Sequence, residues 1–496
     1  VIRRSRLTAA AVLFTCTGFL PLPIFAAPPV PTAAVAPENA LADAVQKAIS
    51  ENTAVADAAI ARLRAAGPAG LDALFAAYGT QVEAADDADP MWPRIRRAIE
   101  KTAAQRDAHV SKLFWYKDLE QAKAAAKASG KPILSLRMMG QLDEEFSCAN
   151  SRFFRILLYA NGDISKFLRE NYILHWRSVR PVPKVTIDFG DGRKLERTIT
   201  GNSIHYVLDA NGRVLDALPG LYAPERFLAA LQDAAYQNTE LAGMPPEGRA
   251  RLLRANFSTT GSRLLSEWEA EARKVGVTFS PEDASRTPVP EAKPSTEPAP
   301  VPTPEPAVAV PVNSNNVINL LSPTALSASR MATTKSIVEV GIVQLMTPRE
   351  ELETRTDAVA WSKIAEGYLP NVTVDESSRR LLRCKVGSAC PTEAAFGNSI
   401  ESFRRAIAED TVRNEFLLRT KILARLKAAP TTPVETLNEW VYAELFLTPS
   451  SDPWLGLLPK DAVVALDGNG IVSPAAPTKP APKPVKATVK RRAPRR

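Results

Sequence analysis

Ten of the 41 prolines in this 496-residue chain fall between residues 281 and 312, in a stretch with no apolar periodicity. Proline fixes its own φ, removes a backbone donor and biases the preceding residue away from helix, so no helix or interior strand can run through such a stretch. A Pro-rich linker over 281–312 is expected, and it divides the chain into parts that must each find a core. The length is too great for a single core, and 45% hydrophobic residues are too many for wholesale disorder.

The formal charge of +8 resolves into two very different regions. Residues 473–496 form a basic Pro/Lys/Arg tail with eight Lys and Arg and no acid, which leaves the rest of the chain formally neutral. A folded basic groove for nucleic acid is thereby excluded, because that binding needs many phosphates neutralised by the folded surface. The tail itself is either a solvated extension or a weak, salt-sensitive contact for a polyanion. At the other end, Arg3, Arg4 and Arg6 precede an apolar run that closes on small residues at Ala26. This is the order of a secretory signal peptide over residues 1–26 and predicts a periplasmic or secreted product, with an uncleaved inner-membrane anchor as the alternative. Export would carry the chain into an oxidising compartment and remove Cys16, leaving Cys148, Cys384 and Cys390. Cys384 and Cys390, six positions apart around Gly387, are the natural disulfide, and Cys148 is left over. A spare cysteine there is either buried and inert or kept for chemistry.

Three folded regions are expected. Residues 38–108 are Ala-rich with apolar positions at helical spacing around a Gly67-Pro68 break, a helical hairpin plus a further helix. Residues 111–240 alternate helix, strand, helix pair, strand, two hairpins and a closing helix, which predicts an α/β layer around a mixed sheet. Residues 316–472 carry amphipathic helical patterns and no cluster of titratable groups, an all-α domain suited to binding or assembly.

Within 111–240, the run Ala-Lys-Ala-Ser-Gly-Lys-Pro-Ile-Leu-Ser-Leu, a cysteine opening the next helix, and the run from Ser203 to Tyr222 before a final helix resemble exported bacterial thioredoxin-like proteins. In that family a strand after Gly-Lys-Pro leads to a C-x-x-C turn, and a last strand hairpin with D-x-x-G follows a cis-proline. The resemblance implies a thioredoxin fold with Cys148 as the exchanging thiol. Two departures bear on the chemistry: the turn reads Cys148-Ala149-Asn150-Ser151, and Ser203 stands where the cis-proline aligns. Ser151 cannot expel a mixed disulfide as a second thiol would, so the implied activity narrows to monothiol exchange or isomerisation.

Cys148, Ser151, Ser203 and His205 are therefore the candidate site. A helix N-terminus and the Ser151 hydroxyl would favour a Cys148 thiolate, whereas Asp143, Glu144 and Glu145 would oppose it. His205 shares a strand face with Ser203 and is the candidate base. No close-spaced ligand pair begins a metal site, and no phosphate loop or dinucleotide fingerprint is present, so no cofactor is expected. Two functions remain open: a monothiol exchange protein forming mixed disulfides with envelope or secreted proteins, or a non-catalytic envelope binding or assembly protein on the same scaffold.

Overall fold

The computed structural model describes residues 38–198, 202–277, 352–353, 356–386, 392–453 and 455. The signal-like segment 1–26, the Pro-rich linker 281–312, Cys390 and the basic tail lie outside the described residues. The chain divides into two compact units, residues 1–98 and 99–496.

In the first unit, α1 (Glu38–Ala48), α2 (Thr53–Ala65) and α3 (Pro68–Ala84) form the expected helical region. The Asn52 side chain accepts from the amides of Ala54 and Val55 and so caps α2. Gly67, at φ +69°, turns the chain where a side chain would be strained, and Pro68 opens α3 with its fixed φ. Gly70 then lets α3 cross against the Leu63 backbone, where any Cβ would collide. The fourth helix, α4 (Trp92–Ala103), runs across the division.

The second unit is built on a five-stranded sheet of order β1-β3-β2-β6-β7. Its strands are β1 (Trp115–Tyr116), β2 (Ile133–Met139), β3 (Ile173–Arg180), β6 (Ser203–Leu208) and β7 (Val214–Pro219). A separate hairpin, β4 (Lys184–Asp188) and β5 (Lys194–Thr198), is inserted between β3 and β6. β1, β3 and β2 run parallel; β6 and β7 are antiparallel to β2 and to each other. Parallel neighbours need crossovers, which α6 (Leu119–Ser129) and the pair α7 (Ala149–Phe153) and α8 (Gly162–Asn171) supply. Every residue of β2, β6 and β7 is buried, as expected of strands covered on both faces.

α9 (Pro224–Leu241) closes the α/β order, and a 29-residue helix, α10 (Pro246–Lys274), follows it. The later helices are α11 (Ala358–Tyr368), α12 (Glu376–Val386), α13 (Glu393–Arg413), α14 (Thr420–Ala428) and α15 (Val434–Trp440). Single π-helical turns lie after α7, α13 and α15, at Phe154–Leu158, Asn414–Arg419 and Val441–Leu445. The sequence pattern set these helices apart as a domain of their own. Instead, their buried residues join the sheet in one apolar core: Trp268 of α10 stacks on Phe416 and lies 5.1 Å from Trp361 of α11. A file of polar groups crosses the same contact, from Asp216 on β7 to Arg419 (2.5 Å), Glu415, Arg226 of α9 (2.8 Å) and Glu267 of α10 (2.9 Å). Asp216, Arg419 and Glu415 are buried, so each needs its partner to offset lost hydration.

Candidate functional site

β2 ends at Gly140, where the chain turns with φ +73° against Val182 and its amide donates to Arg180 O at 2.9 Å. A loop then returns to Cys148, which stands just before the first residue of α7 and donates its amide to Met139 O at 3.2 Å. Ser151, one turn on, places its hydroxyl 2.8 Å from Cys148 O and 2.6 Å from Ser147 Oγ. On the neighbouring strand, Ser203 pairs in register with Met138, and its carbonyl accepts from Gly220 at 2.8 Å. Cys148, Ser151 and Ser203 therefore meet at one end of the sheet, as the sequence predicts.

The thiol itself is closed off. Cys148 is 0% exposed and lies in the apolar core. Burial pushes its pKa up, and the bonds offered by Ser151 and the Met139 backbone, with the Arg152 charge, only partly oppose that. Two segments from outside the sheet close the surroundings. Thr198, at the end of β5, lies with its hydroxyl 3.1 Å from Ser147 O and 2.8 Å from the Arg152 guanidinium. Tyr442, in the turn after α15, donates to the carbonyl of Asn202 at 3.1 Å. The phenols of Tyr442 and Tyr159 are raised first by burial and next by the negative charge a Cys148 thiolate would carry, which places both beside it.

His205 is fully buried, with Nε2 2.7 Å from Tyr159 Oη and its ring 4.5 Å from that of Phe154 and 5.1 Å from that of Phe227. Burial lowers its pKa to about 3, so it is neutral and packed. His175 cannot join it. On β2, Ser135 pairs with His175 and Leu136 with His205, so the two imidazoles lie on opposite faces of the sheet. Cys384 is exposed on α12, and its expected partner Cys390 is outside the described residues.

Sequence reasoning missed the polar groups on the other face. Ser135 Oγ lies 2.8 Å from His175 Nδ1, and Arg137 donates to Ser135 (2.6 Å) and to Glu435 on α15 (2.7 Å). Tyr206 adds a bond of 3.4 Å to Asn438 of the same helix. A signal existed: Ser135 and Arg137 stand two apart in an otherwise apolar strand, and a buried arginine requires an acid from elsewhere.

Around the loop, Glu145 is ion-paired to Lys385 (3.0 Å) and Arg106 (3.1 Å). Burial would raise its pKa, but the charges of Lys385, Arg155 and Arg106 prevail and hold it at about 2. Beside this network, a cleft of about 570 Å³ opens at the ends of β2 and β3, lined by Gln141, Glu144, Phe146, Pro181, Val182 and Lys184. Phe146 is 38% exposed there, with the Lys184 ammonium 5.4 Å from its ring centre. Among the described residues, no group of three His, Cys, Asp or Glu side chains is placed to hold a metal ion, and no helix is long and apolar enough to cross a membrane. No family model, curated protein or solved structure matches this chain.

Proposed function

We propose that the chain is an exported, non-catalytic binding or assembly protein in which residues 111–240 supply a thioredoxin-like scaffold and Cys148 is a packing residue. The scaffold reading is supported by β2 following Gly130-Lys131-Pro132 and leading to Cys148, and by the β6–β7 hairpin carrying Asp209 and Gly212 after Asn202. The basic, apolar and small-residue order of residues 1–26 supports export. The observation that carries the non-catalytic reading is the burial of Cys148: thiol exchange requires a thiolate that a second sulfur can reach, and here the sulfur is enclosed and its ionisation opposed. No side chain compensates. Ser151 cannot serve as a resolving thiol, and His205 is bonded to Tyr159.

Alkylation at neutral pH, followed by mass spectrometry of the Cys148 peptide, tests this. Cys148 in the folded chain is expected to label about a hundredfold more slowly than in the urea-unfolded chain, because reaction must await local opening. Labelling as fast as in the unfolded chain, with partner disulfides captured by the wild type and lost in Cys148→Ala, would establish exchange chemistry instead.

A further inference from the structure

The segment after α15 does not pack as ordinary loop. Phe446 to Asp452 passes over the end of the sheet, and two side chains of the α/β layer take its backbone carbonyls. Arg180, the last residue of β3, donates to Thr448 O (2.8 Å), Pro449 O (3.4 Å) and Asp452 O (2.9 Å). Asn202, just before β6, donates to Thr448 Oγ1 (3.0 Å) and Phe446 O (3.4 Å). Four of these five acceptors are main-chain carbonyls, so the contacts read an extended backbone and ask little of its side chains. The segment is also under strain. Leu447 holds φ +51°, a left-handed conformation that a branched side chain rarely adopts. A guanidinium with a full set of carbonyl partners, holding a strained segment at the mouth of an apolar core, is the arrangement of a clamp with a ligand in it.

We propose that Arg180 and Asn202 form a backbone-reading clamp, that Phe446–Asp452 occupies it as an internal strap, and that an extended peptide of a partner protein can take the strap's place. This rests on the reading of the chain as a binding protein and names the surface on which it binds. Tyr442 fastens the strap from outside the clamp, through its hydroxyl on Asn202 O. The clamp is free only in molecules whose strap has lifted, so apparent affinity for an added peptide scales with that fraction.

The probe is a fluorescent synthetic peptide of residues 444–453, titrated into the full chain. Tyr442→Phe removes one hydrogen bond from the strap and leaves the clamp intact, so binding should tighten about fivefold relative to wild type. Adding Arg180→Gln to Tyr442→Phe should abolish that gain. No gain in the first variant, or a gain that survives the second, overturns the proposal. Native-state hydrogen exchange on the wild type gives an answer that needs no variant to fold. The amides of Phe446 and Thr448 should exchange at least about a hundredfold faster than that of Leu136 in β2, because the strap opens locally. Exchange of strap and strand amides at one common rate would show a fixed structural segment and sink the clamp. Neither outcome bears on the Cys148 labelling rate, so failure here is distinct from failure of the non-catalytic reading.

Discussion

Two imidazoles, one on each face of the sheet, are held neutral in the core. His205 has a pKa of about 3 from burial, and His175 a pKa of about 3 from burial, with the Arg137 and Arg177 charges adding to it. An unfolded chain takes up protons on these rings below about pH 6.5, whereas the folded chain refuses them until about pH 3. Their contribution to stability is therefore complete above pH 6.5 and is lost as the pH falls, at about 1.4 kcal/mol per pH unit for each ring. Glu145, held at about 2, acts in the same sense below its ordinary value of 4.5. Urea midpoints measured from pH 7 to pH 5 should fall steadily, and His205→Gln, which keeps a partner for Tyr159, should remove about half of that slope. An unchanged slope would mean that His205 is not neutral in the folded state. The same residues show what the sequence could disclose. That Cys148 precedes a helix was legible from the apolar pattern after it. That it is sealed was not, because the covers are Thr198 and Tyr442, and no local pattern announces a contact from so far along the chain.

The strands illustrate the next scale. Period-two patterns and the Gly-containing turns at Gly192 and Gly212 were enough to place β4 to β7, and Gly130 marked the end of α6. α10 was not foreseen, although Leu253, Phe257, Leu264 and Trp268 line one buried side of it at helical spacing. The pattern of the α/β unit is complete at its closing helix, and only the core shared with Trp361 and Phe416 gives α10 a reason to continue. β2 and α15 are likewise joined by a pair neither pattern could reveal. Arg137 is 1% exposed and depends on Glu435, which is half exposed and also lies 3.3 Å from Arg177. Glu435→Leu strands the guanidinium with Ser135 and should cost about 2 kcal/mol, less than for a wholly enclosed pair because water reaches the acid. Replacing both, Arg137→Leu with Glu435→Leu, should recover much of that loss. A double variant as unstable as the sum of the single ones would show that the pair is not what joins this strand to this helix.

At the scale of the molecule, the proline-rich stretch argued for separable parts, and the helices beyond it proved inseparable from the sheet. Proline content reports only that the spacer is not helix or strand; it says nothing about whether the chain beyond the spacer turns back onto the part before it. The pattern after residue 357 is amphipathic and the helices form, but an apolar stripe does not state which surface it meets. Here it meets β7, α9 and α10. Asp216 bonds Arg419, the Ala223 amide donates to Thr411 Oγ1 at 2.7 Å, and Asn414 donates to Leu221 O at 2.8 Å. Gly220 is part of the fit, since a Cβ there would collide with the Asn414 side chain. One core implies one transition. Residues 99–496 should melt in a single cooperative step, with calorimetric and van't Hoff enthalpies in agreement. A chain ended after Val277 loses the cover over β7 and the partners of Asp216 and Arg226, so it should give no cooperative melt and should bind a hydrophobic dye. The truncated chain is the sharper test. Were it to melt cooperatively near the full-length temperature, the sheet would hold without its late helices. The seal over Cys148 would then be an addition to a complete domain, and not part of the fold that makes it.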